Sequence, residues 1–136
     1  MPQHWPVWVN ESWASYFAWR AARGKLKGAE MAAVEQLIRA PAAIGLLHGQ
    51  RAYDKGDHAQ TSLFYGKGAL FWDAIEAVLV TRKGPSGRLA ALIQDSQGFQ
   101  GVDWSSAESI ADFLDARSDG AARALVNCYL VQAICG

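Results

Sequence analysis

The stretch from Thr61 to about Arg82 limits the fold more than any other part of the chain. Leu63, Phe64, Leu70, Phe71, Ile75, Val78 and Leu79 leave it little polar face. A helix apolar nearly all round belongs at the centre of a bundle. Thr61 or Ser62 suits its N-cap, and Gly84-Pro85 stops it. Gly66 and Gly68 fall in its first turns, where each costs about 1 kcal/mol relative to alanine. Their presence predicts another backbone passing close by.

The rest of the chain reads as shorter helices around that one. Asn10 suits an N-cap, and Ser12 to Arg23 contains no proline or glycine, so a helix is expected there. A second is expected from about Ala29 to Arg39, ended by Pro41. Residues 42–60 carry Gly45, Gly49, Gly56, His48, His58 and Tyr53, and read as a loop with one short helical turn. Ser86 opens a helix to Ser96. Ser105-Ser106-Ala107-Glu108 is a capping box before Ile110, Phe113 and Leu114. Asp119-Gly120 precedes a last helix, Ala121 to about Ile134. No alternating strand pattern occurs. The expected fold is all-α: one domain over 1–136, an irregular bundle of about six helices around the helix at about 61–82.

Thirteen basic residues balance thirteen acidic ones, so neither nucleic acid nor an anionic membrane is an electrostatically favoured partner. No apolar run reaches the length of a membrane span, and no signal peptide is apparent. Compartment is left open. Cys128 and Cys135 are seven apart on what reads as one helix, about 10 Å of rise, too far for a disulfide.

The most informative wording lies in Val7-Trp8-Val9-Asn10-Glu11-Ser12-Trp13-Ala14-Ser15-Tyr16-Phe17. By pattern alone, Glu11 is an acid in the first turn of a helix, favoured by the helix dipole. The segment also resembles the "W-L-N-E-G-[FW]-A-x-Y" segment of the gluzincin zinc aminopeptidases, the aminopeptidase N-like and glycyl aminopeptidase-like group. Ser12 stands where that family has glycine. Phe64-Tyr65-Gly66-Lys67-Gly68-Ala69 resembles the same family's "Y-x-K-G-A" segment, again at the head of a long apolar helix.

The resemblance implies a zinc metallopeptidase acting on peptide substrates. It makes Glu11 a metal ligand and Tyr65 a catalytic donor to the oxyanion. Glu11 and Tyr65 should then share one corner of the bundle, within roughly 10 Å, because metal–oxygen bonds and oxyanion hydrogen bonds are each about 2–3 Å. The family's other two zinc ligands and general base come from an H-E-x-x-H helix, and none occurs in these 136 residues. His4, His48 and His58 show no i, i+4 pairing. Asp54, Asp57 and His58 read as a solvated loop, with a small polar cluster as the alternative.

The chain is therefore expected to be the C-terminal, helical part of such a catalytic domain, inactive as an isolated chain and holding no zinc tightly. Trp5, Trp8 and the Tyr65 helix would expose apolar surface and favour a homo-oligomer. The alternative is a non-enzymatic helical scaffold or dimerisation module. A small-ligand-binding bundle using the aromatic patch is a third.

Overall fold

The computed structural model describes residues 5–23, 25, 28–29, 32, 44–59, 61–84, 88–89 and 101–132. Among them the fold is all-helical, with no strand. Helix α1 is Val7–Arg23, α2 is Leu46–Asp54, α3 is Ser62–Lys83, α4 is Ala107–Asp115, and α5 is Arg123–Val126, which runs on into a π-helical turn, Asn127–Val131. Most of the two helices expected over 29–39 and 86–96 lies outside the described residues.

The core is the seam between α1 and α3. Trp8, Ser12, Trp13, Tyr16 and Trp19 recur at three/four spacing on α1 and are buried. On α3 they meet Phe64, Phe71, Trp72, Ile75 and Leu79, also buried. From Ser12 against Gly68 to Tyr16 and Arg20 against Glu76, the two helices advance in the same direction. Aromatic rings fill the seam's first half. Trp8 stacks on Trp72 (6.2 Å, 10°), Trp13 meets Trp72 edge-on at 4.7 Å, and Trp104 closes over Trp8 and Trp5. Trp8 Nε1 donates to the Trp104 carbonyl at 3.2 Å, so the indole's polar edge is satisfied inside the core.

Buried polar groups pin the seam at two points. Trp72 Nε1 donates to Ser12 Oγ at 2.8 Å, and Ser12 Oγ donates to the Val9 carbonyl at 3.2 Å. Further along, Glu76 is buried and accepts from Tyr16 Oη at 2.6 Å while pairing with Arg20 at 2.6 Å. Arg88 lies 3.7 Å from the same carboxylate. Burial, then the hydrogen bond to Glu76, pushes the Tyr16 phenol well above its ordinary pKa.

Several local expectations need correction. Helix α1 begins at Val7, so Asn10 is inside it rather than capping it, and Glu11 falls in the second turn, beyond the dipole's strongest reach. The Trp8 amide, one of the unpaired donors of the helix start, is taken by Gln50 Oε1 at 2.8 Å. This tertiary cap has no sequence signature.

Residues 42–60 contain a nine-residue helix instead of a loop. Its glycines serve close approach. A Cβ on Gly49 would lie 2.8 Å from Leu63 Cδ2, and one on Gly45 would lie 2.4 Å from the Leu130 carbonyl oxygen.

The cap of α4 is Ser106, one residue later than expected. Ser106 Oγ accepts from the Ser109 amide at 3.1 Å, and Ser109 Oγ accepts in return from the Asp103 amide at 2.9 Å. The last helix ends at Val131, and Gln132 is extended (ψ 153°). The expectation of no disulfide rests on a single helix running from Cys128 to Cys135. The break at Gln132 removes that ground, and Cys128 is disulfide-bonded.

The expected apolar patch at Trp5 and Trp8 is absent. Trp8 is fully buried and Trp5 half-buried against Trp104 and Trp13. Among the described residues only Tyr65 (48%) and Val131 (53%) are exposed large hydrophobics.

Candidate functional site

The side chains of Glu11 and Tyr65 meet at the crossing of α1 and α3. Gly68, one turn beyond Tyr65, makes this possible: a Cβ there would lie 2.3 Å from Ser12 Cβ, so only glycine admits the first helix. Ser15 Oγ fixes the crossing from the other side by donating to the Tyr65 carbonyl at 2.7 Å. Tyr65 thus has its backbone tied to α1 and its ring standing half in solvent.

The Tyr65 hydroxyl lies beside the Glu11 carboxylate. That contact raises the phenol's pKa above its ordinary value, ahead of partial desolvation and the Glu11 charge. The phenol therefore stays protonated, and an O–H donor, throughout the neutral range.

The structure adds a residue that the motifs did not single out. Tyr53, on α2, lies close enough to raise the Tyr65 pKa further. His58 lies flat on the Tyr53 ring, with 4.2 Å between centroids and 18° between planes, and Phe64 meets that ring edge-on at 6.2 Å. One turn earlier on α2, Gln50 bridges the Trp8 amide and Asp54 Oδ1, each at 2.8 Å. So the segment bordering Glu11 and Tyr65 is an ordered helix. Its α-helical spacing at Leu46, Leu47 and Gln50 was the available signal, masked by the glycines.

Beside Glu11, Asn10 Nδ2 donates to the Trp5 carbonyl at 3.2 Å, while its buried Oδ1 has no partner among the described residues. A buried orphan acceptor costs about 1–3 kcal/mol.

Lys67, from the same motif as Tyr65, points away from the corner. It is buried, and its Nζ donates to the carbonyls of Ile44 and Gln132 at 3.1 and 3.0 Å. It ties the entry of α2 to the end of the π-helical turn, and desolvation lowers its pKa.

Among the described residues the donor set does not complete a zinc site. Glu11 offers one carboxylate, and among the described residues no group of three or more His, Cys, Asp or Glu side chains gathers. His48 is exposed on α2, His58 is stacked on Tyr53, and His4 lies outside the described residues. Asp54 and Asp57 are held by Gln50 and by the Ala59 amide (3.0 Å), and form no cluster with His58.

No family model, curated protein or solved structure matches this chain.

Proposed function

We propose that this chain is the C-terminal, helical half of a zinc metallo-aminopeptidase-like catalytic domain, inactive alone, which in an intact form hydrolyses N-terminal peptide bonds. One observation carries the reading. Glu11 and Tyr65 come from two distant segments, each worded like the same family's, and their side chains meet. In this reading Tyr65 donates a hydrogen bond to the developing oxyanion, where one positioned donor contributes about 3–4 kcal/mol. Glu11 supplies a single carboxylate ligand. Two imidazoles and the general base come from an H-E-x-x-H helix outside this chain.

The sequence encoded upstream of Met1 tests this. An H-E-x-x-H segment is expected there, with zinc bound by the longer chain and lost in E11Q. Absence of that segment, or aminopeptidase activity indifferent to both E11Q and Y65F, overturns the reading. The non-enzymatic helical module is supported by a different observation, the cover over Trp5 and Trp8. Under that reading, E11Q and Y65F alter neither activity nor zinc content in any longer chain.

A further inference from the structure

Helix α2 has two faces with different fates. Leu46, Leu47, Gly49 and Gln50 are buried, which holds the helix firmly. On the outer face His48, Arg51 and Lys55 recur at i, i+3 and i+7, and with Ala52 and Asp57 they line an open pocket of about 310 Å³. All three basic side chains are exposed, and none makes a hydrogen bond or ion pair with another described residue.

Lys25 and Arg82 are likewise exposed with no side-chain partner among the described residues, while other basic groups are engaged. Arg20 and Arg88 share Glu76, Lys67 holds two carbonyls, and Arg123 is forked between Glu108, Asp112 and Asp115. The acids nearest the α2 pocket are partly committed elsewhere. Asp54 accepts from Gln50, and Asp57 Oδ1 accepts from the Ala59 amide, just after the turn in which Gly56 adopts φ +95°. Two permanent cations and an imidazole therefore face one carboxylate across a concave surface. A guanidinium offers forked donors and an ammonium a point charge, the combination that suits an oxyanion bearing more than one negative oxygen.

We propose that the outer face of α2 is a binding site for a small multivalent oxyanion, a phosphate or a short di- or tricarboxylate, held by Arg51 and Lys55 with His48 at the edge. The site needs neither Glu11 nor a metal, so its failure and the failure of the metallopeptidase reading are separate results. An exposed site of this kind binds in the millimolar range and is screened by salt.

The test is an amide-resolved NMR titration of the whole chain, with inorganic phosphate in one arm and citrate in the other. Saturable shifts confined to residues 48–57 are expected, with a midpoint of about 1–10 mM. The affinity should fall at least about tenfold in R51A/K55A and be largely lost by about 0.5 M sodium chloride. The arm that saturates at lower concentration identifies the ligand class. Both altered residues are exposed, so the double variant should keep its circular dichroism spectrum. If it does not, R51Q and K55Q separately provide the comparison. Shifts that fail to saturate, that centre elsewhere, or that persist unchanged in the variants overturn the proposal.

Discussion

Gly68 and Ser12 sit so close that a Cβ on Gly68 would lie 2.3 Å from the Ser12 Cβ. This one approach brings α1 onto α3, and with it Glu11 beside Tyr65. The same separation sets the cost of filling the gap.

Gly68→Ala is expected to destabilise the fold by up to about 2 kcal/mol. Overpacking of a close crossing costs about 1–3 kcal/mol, against a gain of about 1 kcal/mol from helix propensity. Because Ser12 Cβ is carried by a helix backbone, the crossing must widen. Urea unfolding gives the stability change. The Tyr65 phenol should also titrate closer to its ordinary pKa, because its contact with Glu11 loosens. A stability equal to or above that of the parent chain would contradict the close crossing.

Ser12→Gly introduces the residue that the resembling family carries at this place. It removes the acceptor of the buried Trp72 indole N–H. A loss of about 1–3 kcal/mol is expected from the unsatisfied donor, with a further penalty for glycine inside a helix. The Trp72 indole proton, followed by NMR, should exchange faster than in the parent. If stability is unchanged, the Ser12–Trp72 bond contributes nothing net.

Much of this arrangement is legible in the residues, for identifiable reasons. The α3 helix shows itself because apolar residues on every side leave a chain few other places to go. The close backbone follows from two glycines in a helix that gains nothing else from them. The start of α1 is hidden because Asn10 looks like a cap, whereas the capping group is Gln50, forty-two residues along the chain. Helix α2 reads as a loop because Gly45 and Gly49 look like breakers. Their neighbours Leu130 and Leu63 are known only once the chain has folded. Tyr53 reads only as part of that loop for the same reason.

Glu76→Ala should cost about 2–4 kcal/mol, near the range for breaking a buried pair but reduced because Arg20 is partly open to solvent. It strands the Tyr16 hydroxyl and the Arg20 guanidinium together. A double-mutant cycle with Tyr16→Phe should reveal non-additivity of about 0.5–3 kcal/mol. Additive losses would show that the two do not share one network.

Tyr16 also predicts how the fold responds to alkali. Its phenol holds its proton more tightly when folded than when unfolded. Below the ordinary phenol pKa, about 10, both states are protonated and stability does not depend on this group. Above it the unfolded chain releases the proton first, so the folded state binds more protons and stability falls as pH rises. Urea midpoints measured from about pH 8 to 11 should decline above about pH 10, more shallowly in Tyr16→Phe. Identical slopes in the two proteins would exclude Tyr16 as the source.

The isolated chain should hold zinc weakly and hydrolyse no aminoacyl anilide. A catalytic zinc needs about three protein ligands, and Glu11 offers one carboxylate beside the Tyr65 phenol, a poor ligand while protonated. His48 and His58 lie on or just beyond α2, one in solvent and one stacked on Tyr53, so recruiting them would require breaking that stack. Dialysis against zinc followed by elemental mass spectrometry measures the content, with E11Q as the comparison. Weak binding that disappears in E11Q supports Glu11 as one member of a larger ligand set. Stoichiometric zinc that survives a chelator and is untouched by E11Q would point to a different donor group altogether, and Glu11 would lose its proposed role.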